Sequence, residues 1–504
     1  MTQTRLEAFQ IRSDGWVSFR AADDVPVQPP PPDDGPTPVT GDHFYATQAE
    51  LDVWTSRMVD GPYRVLGDVS AHSPGDWARI NANAENFRSD PSQGRWVQPG
   101  TGYIGSGDPW PGEGGSGTTT DGVSRMVDAA FKGMLTDDAD LKAKVKTELM
   151  WQIQEWSFSS LNHSRWDPNY PGFWPSPIFA LSRFVQRWFH ARDFLGRDYF
   201  TAGENDDLDR WFYGYANFFT YLIDREASRS GRYPNRWNED WSTWTARRGS
   251  VKYAWTDGQT IEHPHMVYNN RQTSMNVVST VIAPYLQHYG YTAPTSGAPS
   301  YGFYSVADLV KHGWIWFNEL LISTVFPNGV MGDFERGSPT NSRLGWAYSL
   351  PVMGAMTEIA DAHARIGDFR PYNLTTTMGY FGSDGTPTLS GFSAGKSLLF
   401  TGTFMVKYGD GSTYTDRTWD GNSLYDARDC THLTVARANL FYDDAWLKSA
   451  YMRTASGFQP YPSSPRSSGG WGGSNAWRGE QNHSVGLLFQ YGQMENVDVY
   501  GLGG

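Results

Sequence analysis

The chain has 504 residues, of which 39% are hydrophobic and 15% aromatic, so it is long enough to bury a large core and is rich in flat apolar rings. A formal net charge of -13 argues against a nucleic-acid binder that relies on phosphate neutralisation, and it means that any acidic ligand needs a local basic patch. The single cysteine, Cys430, excludes an intramolecular disulfide framework and any metal site built from several thiolates.

The first residues lack the basic and apolar regions of a secretory signal, and no apolar run approaches the roughly 20 residues needed to span a bilayer. No signal peptide and no membrane insertion are therefore expected. Residues 9 to 19 alternate between apolar and polar around Asp14-Gly15, which predicts a short β-hairpin. The run from Val25 to Pro38 contains Pro29 to Pro32 and reads as a stiff, extended linker. The expected organisation is a hairpin anchor over 1–24, a Pro-rich linker over 25–41 and one large domain over 42–504.

Beyond the linker the apolar period is helical. Val123, Met126, Val127, Ala130, Phe131 and Met134 form one stripe after Thr120 and Asp121; Leu141, Val145, Leu149 and Ile153 form the next after Asp137 and Asp138. The pattern recurs through Ile178 to Phe189, Leu208 to Leu222 and Met275 to Tyr289, and again from Tyr348 to Ile366. Ser305 and Asp308 predict a capping box opening a helix through Leu321, and His432 to Arg453 predicts one late helix. Between them lie long Gly-, Trp- and Tyr-rich loops over Gln98 to Gly117, Arg229 to Asn270 and Asn373 to Asp429, with strands expected within Leu389 to Tyr414, at Leu398 to Phe400 and Phe404 to Val406. Successive helices without alternating strand-helix units predict a mainly α fold, a toroid of helical hairpins.

Two polar clusters abut these helices: Tyr268, Asn269, Asn270 and Arg271 before the Met275 run, and Glu335, Arg336, Arg343 and Tyr348 before the run to Ile366. These residue types suit β-elimination on a uronate sugar. The C5 proton becomes removable only when the adjacent carboxylate is neutralised by preorganised amides or guanidiniums, and a Tyr beside a cation, its pKa brought below about 10, can move that proton. Residues 225–252 interleave basic and aromatic side chains, among them Arg236, Trp237, Trp241 and Trp244, and suit the wall of an acidic-glycan cleft. Ordinary helix caps, a solvated charged loop and an aromatic core explain the same residues without a ligand, and a core role is expected for about half of the Trp and Tyr.

On these residues the chain resembles polysaccharide lyase family 5, the alginate lyases with an α/α toroid. Tyr268-Asn269-Asn270-Arg271 is similar to that family's Asn-Asn-His segment at a helix start, and Pro327 to Arg336 followed by Arg343 and Tyr348 is similar to its later Arg- and Tyr-bearing segment. The likeness covers roughly residues 120–370. It implies that Asn270 neutralises the uronate, that Tyr348 is the catalytic phenol, and that Arg336 or Arg343 steers the carboxylate or depresses the Tyr pKa. Arg271 departs from the family's His; a guanidinium neutralises charge but stays protonated and is a poor base. His263 and His265, just upstream, are the candidates to replace it.

The expected partner is therefore an acidic, alginate-like polysaccharide, with no cofactor. His263 and His265 have metal-ligand spacing on a strand, but no third ligand accompanies them, so no metal is expected. A glycoside hydrolase would need two opposed carboxylates, and Glu239, Asp240, Glu262, Asp333 and Glu335 could supply them. A glycan-gripping protein without turnover is the other alternative. An anchor without a secretion signal suggests a phage tail or fibre component that binds virion proteins through residues 1–24 and acts outside the host after lysis; a cytoplasmic bacterial enzyme is the competing placement.

Overall fold

The computed structural model describes residues 43–58, 76–95, 118–155, 176–229, 270–299, 301–325, 342–375, 397–409, 436–452, 490–491, 494 and 496–502. It also describes six strands of two residues each. The helices in chain order are α1 Gln48–Ser56, α2 Asp76–Ser89, α3 Thr118–Thr136, α4 Ala139–Glu155, α5 Ser176–Leu195, α6 Ala202–Arg229 and α7 Asn270–His288. They continue with α8 Val306–Thr324, α9 Ser342–Ala364, α10 Arg370–Asn373, α11 Leu398–Gly409, α12 Asn439–Tyr442 and α13 Ala445–Met452. The protein is mainly α. No helix among the described residues is long and apolar enough to cross a membrane.

Local chemistry accounts for the helix starts. At α1, Thr47 Oγ1 accepts from the Glu50 amide at 3.2 Å and Glu50 Oε2 accepts from the Thr47 amide at 2.7 Å, a reciprocal capping box that satisfies two otherwise orphaned donors. Ser305 caps α8 by accepting from the Asp308 amide at 3.0 Å, although its hydroxyl turns to Asp308 Oδ2 instead of completing the box. Asp138 accepts from the Leu141 amide at the head of α4, as its position before the stripe predicts.

The predicted apolar stripes are buried: Val123, Met126, Val127, Ala130 and Phe131 on α3, Leu181, Val185, Trp188 and Phe189 on α5, and Leu208, Trp211, Phe212 and Phe219 on α6 all face the core. Aromatic edges knit these helices together. Phe131 meets Phe194 at 5.1 Å, Phe189 meets Phe212 at 5.3 Å and Trp188 lies 5.4 Å from Trp211. Trp54, Trp188, Trp211 and Trp316 are fully buried, so these four serve the core rather than an exposed sugar platform.

Four helices run in the same direction. Arg187 Nε donates to Ser124 Oγ at 2.8 Å, and about two turns further along both helices Phe131 of α3 meets Phe194 of α5, with the same offset in sequence. The C-terminal parts of α5, α7 and α9 meet the segment at Phe44 and Tyr45: Asp193 accepts from both amides at 2.8 Å, Tyr45 Oη donates to the Val281 carbonyl at 3.2 Å, and Arg365, just past α9, donates to the Phe44 carbonyl at 3.2 Å. The intervening helices return. Tyr285 near the end of α7 donates to Asp209 near the start of α6 at 2.8 Å, and Gly313 early in α8 abuts His363 late in α9.

Three expectations are corrected. Leu398 to Gly409 is the helix α11, not a pair of strands; apolar runs of three residues are too short to show a period that separates strand from helix, and the 12 residues together suit the longer element. The predicted helix over His432 to Arg453 is broken between α12 and α13, where Asp443 adopts a left-handed φ of 43° and Asp444 caps the next helix through the Trp446 and Leu447 amides. Helices α1 and α2 form where no stripe was read, since both carry mixed polar faces.

One antiparallel pair joins Gln10–Ile11 to Val17–Ser18, and the expected turn at Asp14-Gly15 lies outside the described residues. A second antiparallel pair, Tyr253–Ala254 with Thr260–Ile261, lies just before His263. The linker over 25–41 lies outside the described residues.

Candidate functional site

Asn270 and Arg271 are the first two residues of α7, while Arg343 and Tyr348 are the second and seventh of α9. The two helices pack side by side and in parallel, so both starts lie at the end opposite Phe44. Tyr285 and Arg365 mark a common level through Phe44, to which they are joined at 6.0 Å between rings and at 3.2 Å to its carbonyl. Counting back at 1.5 Å per residue sets Asn270 roughly 22 Å and Tyr348 roughly 25 Å from that level. The backbones at Asn270 and Tyr348 therefore lie within about one helical turn of each other along the axis, with Arg343 about two turns farther out than Asn270.

Arg336, Arg236, Trp237, Trp241, Trp244, His263, His265, Tyr268 and Asn269 lie outside the described residues.

Below Asn270, α7 carries a polar stripe into the interior. Thr273, Asn276 and Thr280 are fully buried, and Asn276 Oδ1 pairs with His312 Nε2 of α8 at 2.6 Å. The Thr273 hydroxyl and Asn276 Nδ2 have no hydrogen-bond partner. The close approach of α8 that brings His312 in depends on Gly313: a Cβ there would stand 2.9 Å from His363 Nε2 and 3.2 Å from Thr280 Cγ2.

Further along the same interior lies a charged network that the sequence reading did not anticipate. Glu358 of α9 accepts from Gln186 Nε2 at 2.8 Å and pairs with His190 Nε2 at 2.9 Å, both on α5. Arg365 binds Glu50 at 2.7 Å and Asp361 at 3.1 Å, and Tyr500 donates to Asp361 at 2.7 Å. Burial alone would lower the Arg365 pKa, but Asp361 and Glu50 overcome it and hold the guanidinium well above its ordinary value. Burial, reinforced by Glu358 and Asp361, pushes the Tyr45 phenol well above its ordinary value. Tyr45 is thus a neutral hydrogen-bond donor and no base. One signal was present in the sequence: Gln186 and His190 stand four residues apart among the apolar residues of α5, on the stripe that faces the core.

No protein-family model, curated protein or solved structure matches the chain.

Proposed function

We propose that the chain is a polysaccharide lyase-like protein with an α/α-toroid architecture, cleaving a uronate-containing, alginate-like polysaccharide by β-elimination. The observation that carries this reading is the parallel packing of α7 and α9, which starts Asn270, Arg271, Arg343 and Tyr348 at one end of the helix assembly. The common direction of α3, α5, α7 and α9, with α4, α6 and α8 returning between them, supports the toroid.

In this reading Asn270 and Arg271 neutralise the uronate carboxylate, with Arg336 or Arg343 steering it. The Tyr348 phenolate takes the C5 proton; the electron pair forms the C4–C5 double bond as the C4–O bond breaks, and the leaving oxygen takes a proton from the phenol. Arg236, Trp237, Trp241, Trp244, His263, His265, Tyr268 and Asn269 would line the sugar-binding wall. The pair Gln10–Ile11 and Val17–Ser18 would attach the protein to a phage tail or fibre, making it a virion depolymerase. Mass spectrometry of purified virions lacking the chain would overturn that placement.

The test of the reaction is Tyr348→Phe, assayed by the ultraviolet absorbance of unsaturated uronate ends. Turnover should be abolished and glycan binding retained; undiminished activity refutes the role of Tyr348. Arg271 favours a second reading, glycan binding without turnover, because its guanidinium cannot act as the base that a His supplies. Binding without product across alginate and glucuronan supports that reading, whereas new reducing ends without unsaturation support a hydrolase.

A further inference from the structure

Arg437 lies in the turn that leads into α12 and is 2% exposed. One edge of its guanidinium, Nη1, faces Glu358 Oε2 at 3.9 Å, and Cζ lies over the Tyr491 ring, 4.9 Å from its centroid. The other edge, Nε and Nη2, is fully buried without a hydrogen-bond partner. The Tyr491 hydroxyl, both side-chain polar atoms of Gln490 and Oε1 of Gln186 share that condition.

Neighbouring carboxylates are engaged elsewhere. Glu358 is held by Gln186 and His190, Asp361 by Arg365 and Tyr500, and Glu50 by Arg365. Buried donors without acceptors are costly, and a fully buried guanidinium edge without one, beside the Tyr491 ring, points to a ligand that accepts from it. The chemistry of that ligand follows from the donors. Nε–H and Nη2–H are parallel and fixed in one plane, matching two oxygens of a carboxylate, while the Tyr491 hydroxyl and the Gln490 amide add neutral donors.

We propose that Arg437, Tyr491 and Gln490 form an interior site for a small planar carboxylate-class anion, of the size of formate, acetate or bicarbonate. The site is separate from the proposed reaction centre, since Glu358 stands ten residues beyond Tyr348 on α9, roughly 15 Å along its axis. Such an anion binds the folded chain alone and so stabilises it, by an amount that grows with the logarithm of its concentration above the dissociation constant.

The experiment is thermal unfolding of the full chain titrated with sodium formate, acetate, bicarbonate or phosphate against chloride at constant ionic strength. At least one planar anion should raise Tm with that logarithmic dependence. Tyr491→Phe, which removes a single neutral donor, should weaken the apparent affinity about fivefold, and Arg437→Met should abolish the anion-dependent rise. Where Arg437→Met does not fold, Tyr491→Phe carries the test. A flat Tm for every anion, a rise with phosphate alone, or identical titrations for wild type and Tyr491→Phe would overturn the proposal.

Discussion

Replacing Asp193 with Ala tests whether the segment around Phe44 clasps the ends of the parallel helices. Asp193 is fully buried at the end of α5, and its two carboxylate oxygens accept separately from the Phe44 and Tyr45 amides, each at 2.8 Å. Hydrogen bonds to a charged acceptor contribute about 1.5–3 kcal/mol each, so truncation should cost about 3–6 kcal/mol, and it leaves two buried amides without an acceptor. With an unfolding entropy of about 2.1 cal/mol/K per residue, a chain of 504 residues loses roughly 1 °C of Tm per kcal/mol. Scanning calorimetry should therefore register a fall of about 3–6 °C. Amide hydrogen exchange supplies the local readout: the Phe44 and Tyr45 amides should lose protection in the variant before the core amides of α5 do. Unchanged protection at both amides, together with a Tm within about 1 °C of wild type, would show that Asp193 does not hold the clasp.

Gly313→Ala should destabilise by about 1–3 kcal/mol through overpacking, because its Cβ would press on His363 Nε2 at 2.9 Å and on Thr280; a second replacement, Thr280→Ser, should recover part of the loss in the same calorimetric assay. Asp368 supplies a pH prediction. Burial raises its pKa, but hydrogen bonds from Arg370 and His363 overcome that and hold it below the usual carboxylate range. Because the folded value is depressed, the stabilisation is present above the unfolded pKa of about 3.9 and is lost as pH falls through the folded value. Asp368→Asn should accordingly be less stable than wild type at neutral pH, with the difference shrinking below about pH 4; a difference independent of pH down to strongly acid conditions would contradict this.

The candidate site was legible as two polar segments at helix starts, because a cap and an apolar stripe are local patterns. Asn270 opens α7 and Tyr348 lies early in α9, as the runs that follow them indicate. Their common level was not legible, since it depends on both helices ending on Phe44 and Tyr45, more than 200 residues earlier in the chain. The same distance effect hid the interior charges. Glu50 closes the capping box of α1, a local contact, and its carboxylate also binds Arg365, 315 residues away in the chain. His190 reads as a polar interruption of an apolar stripe until Glu358 stands opposite it.

The helical class, the stripes of α3 to α8, the caps at Asp138 and Ser305, and the absence of a disulfide framework are legible in the residues alone, because these depend on periodicity, side-chain reach within a few residues, and composition. The tertiary structure alone decided the helical state of α11, the break at Asp443, the parallel course of α3, α5, α7 and α9, and the buried networks around Glu358 and Arg437. The physical reason is desolvation. Whether a polar or apolar run becomes strand, helix, core or site depends on which distant groups exclude water from it, and Asp193, Glu50 and Arg437 acquire their roles only where that exclusion is complete.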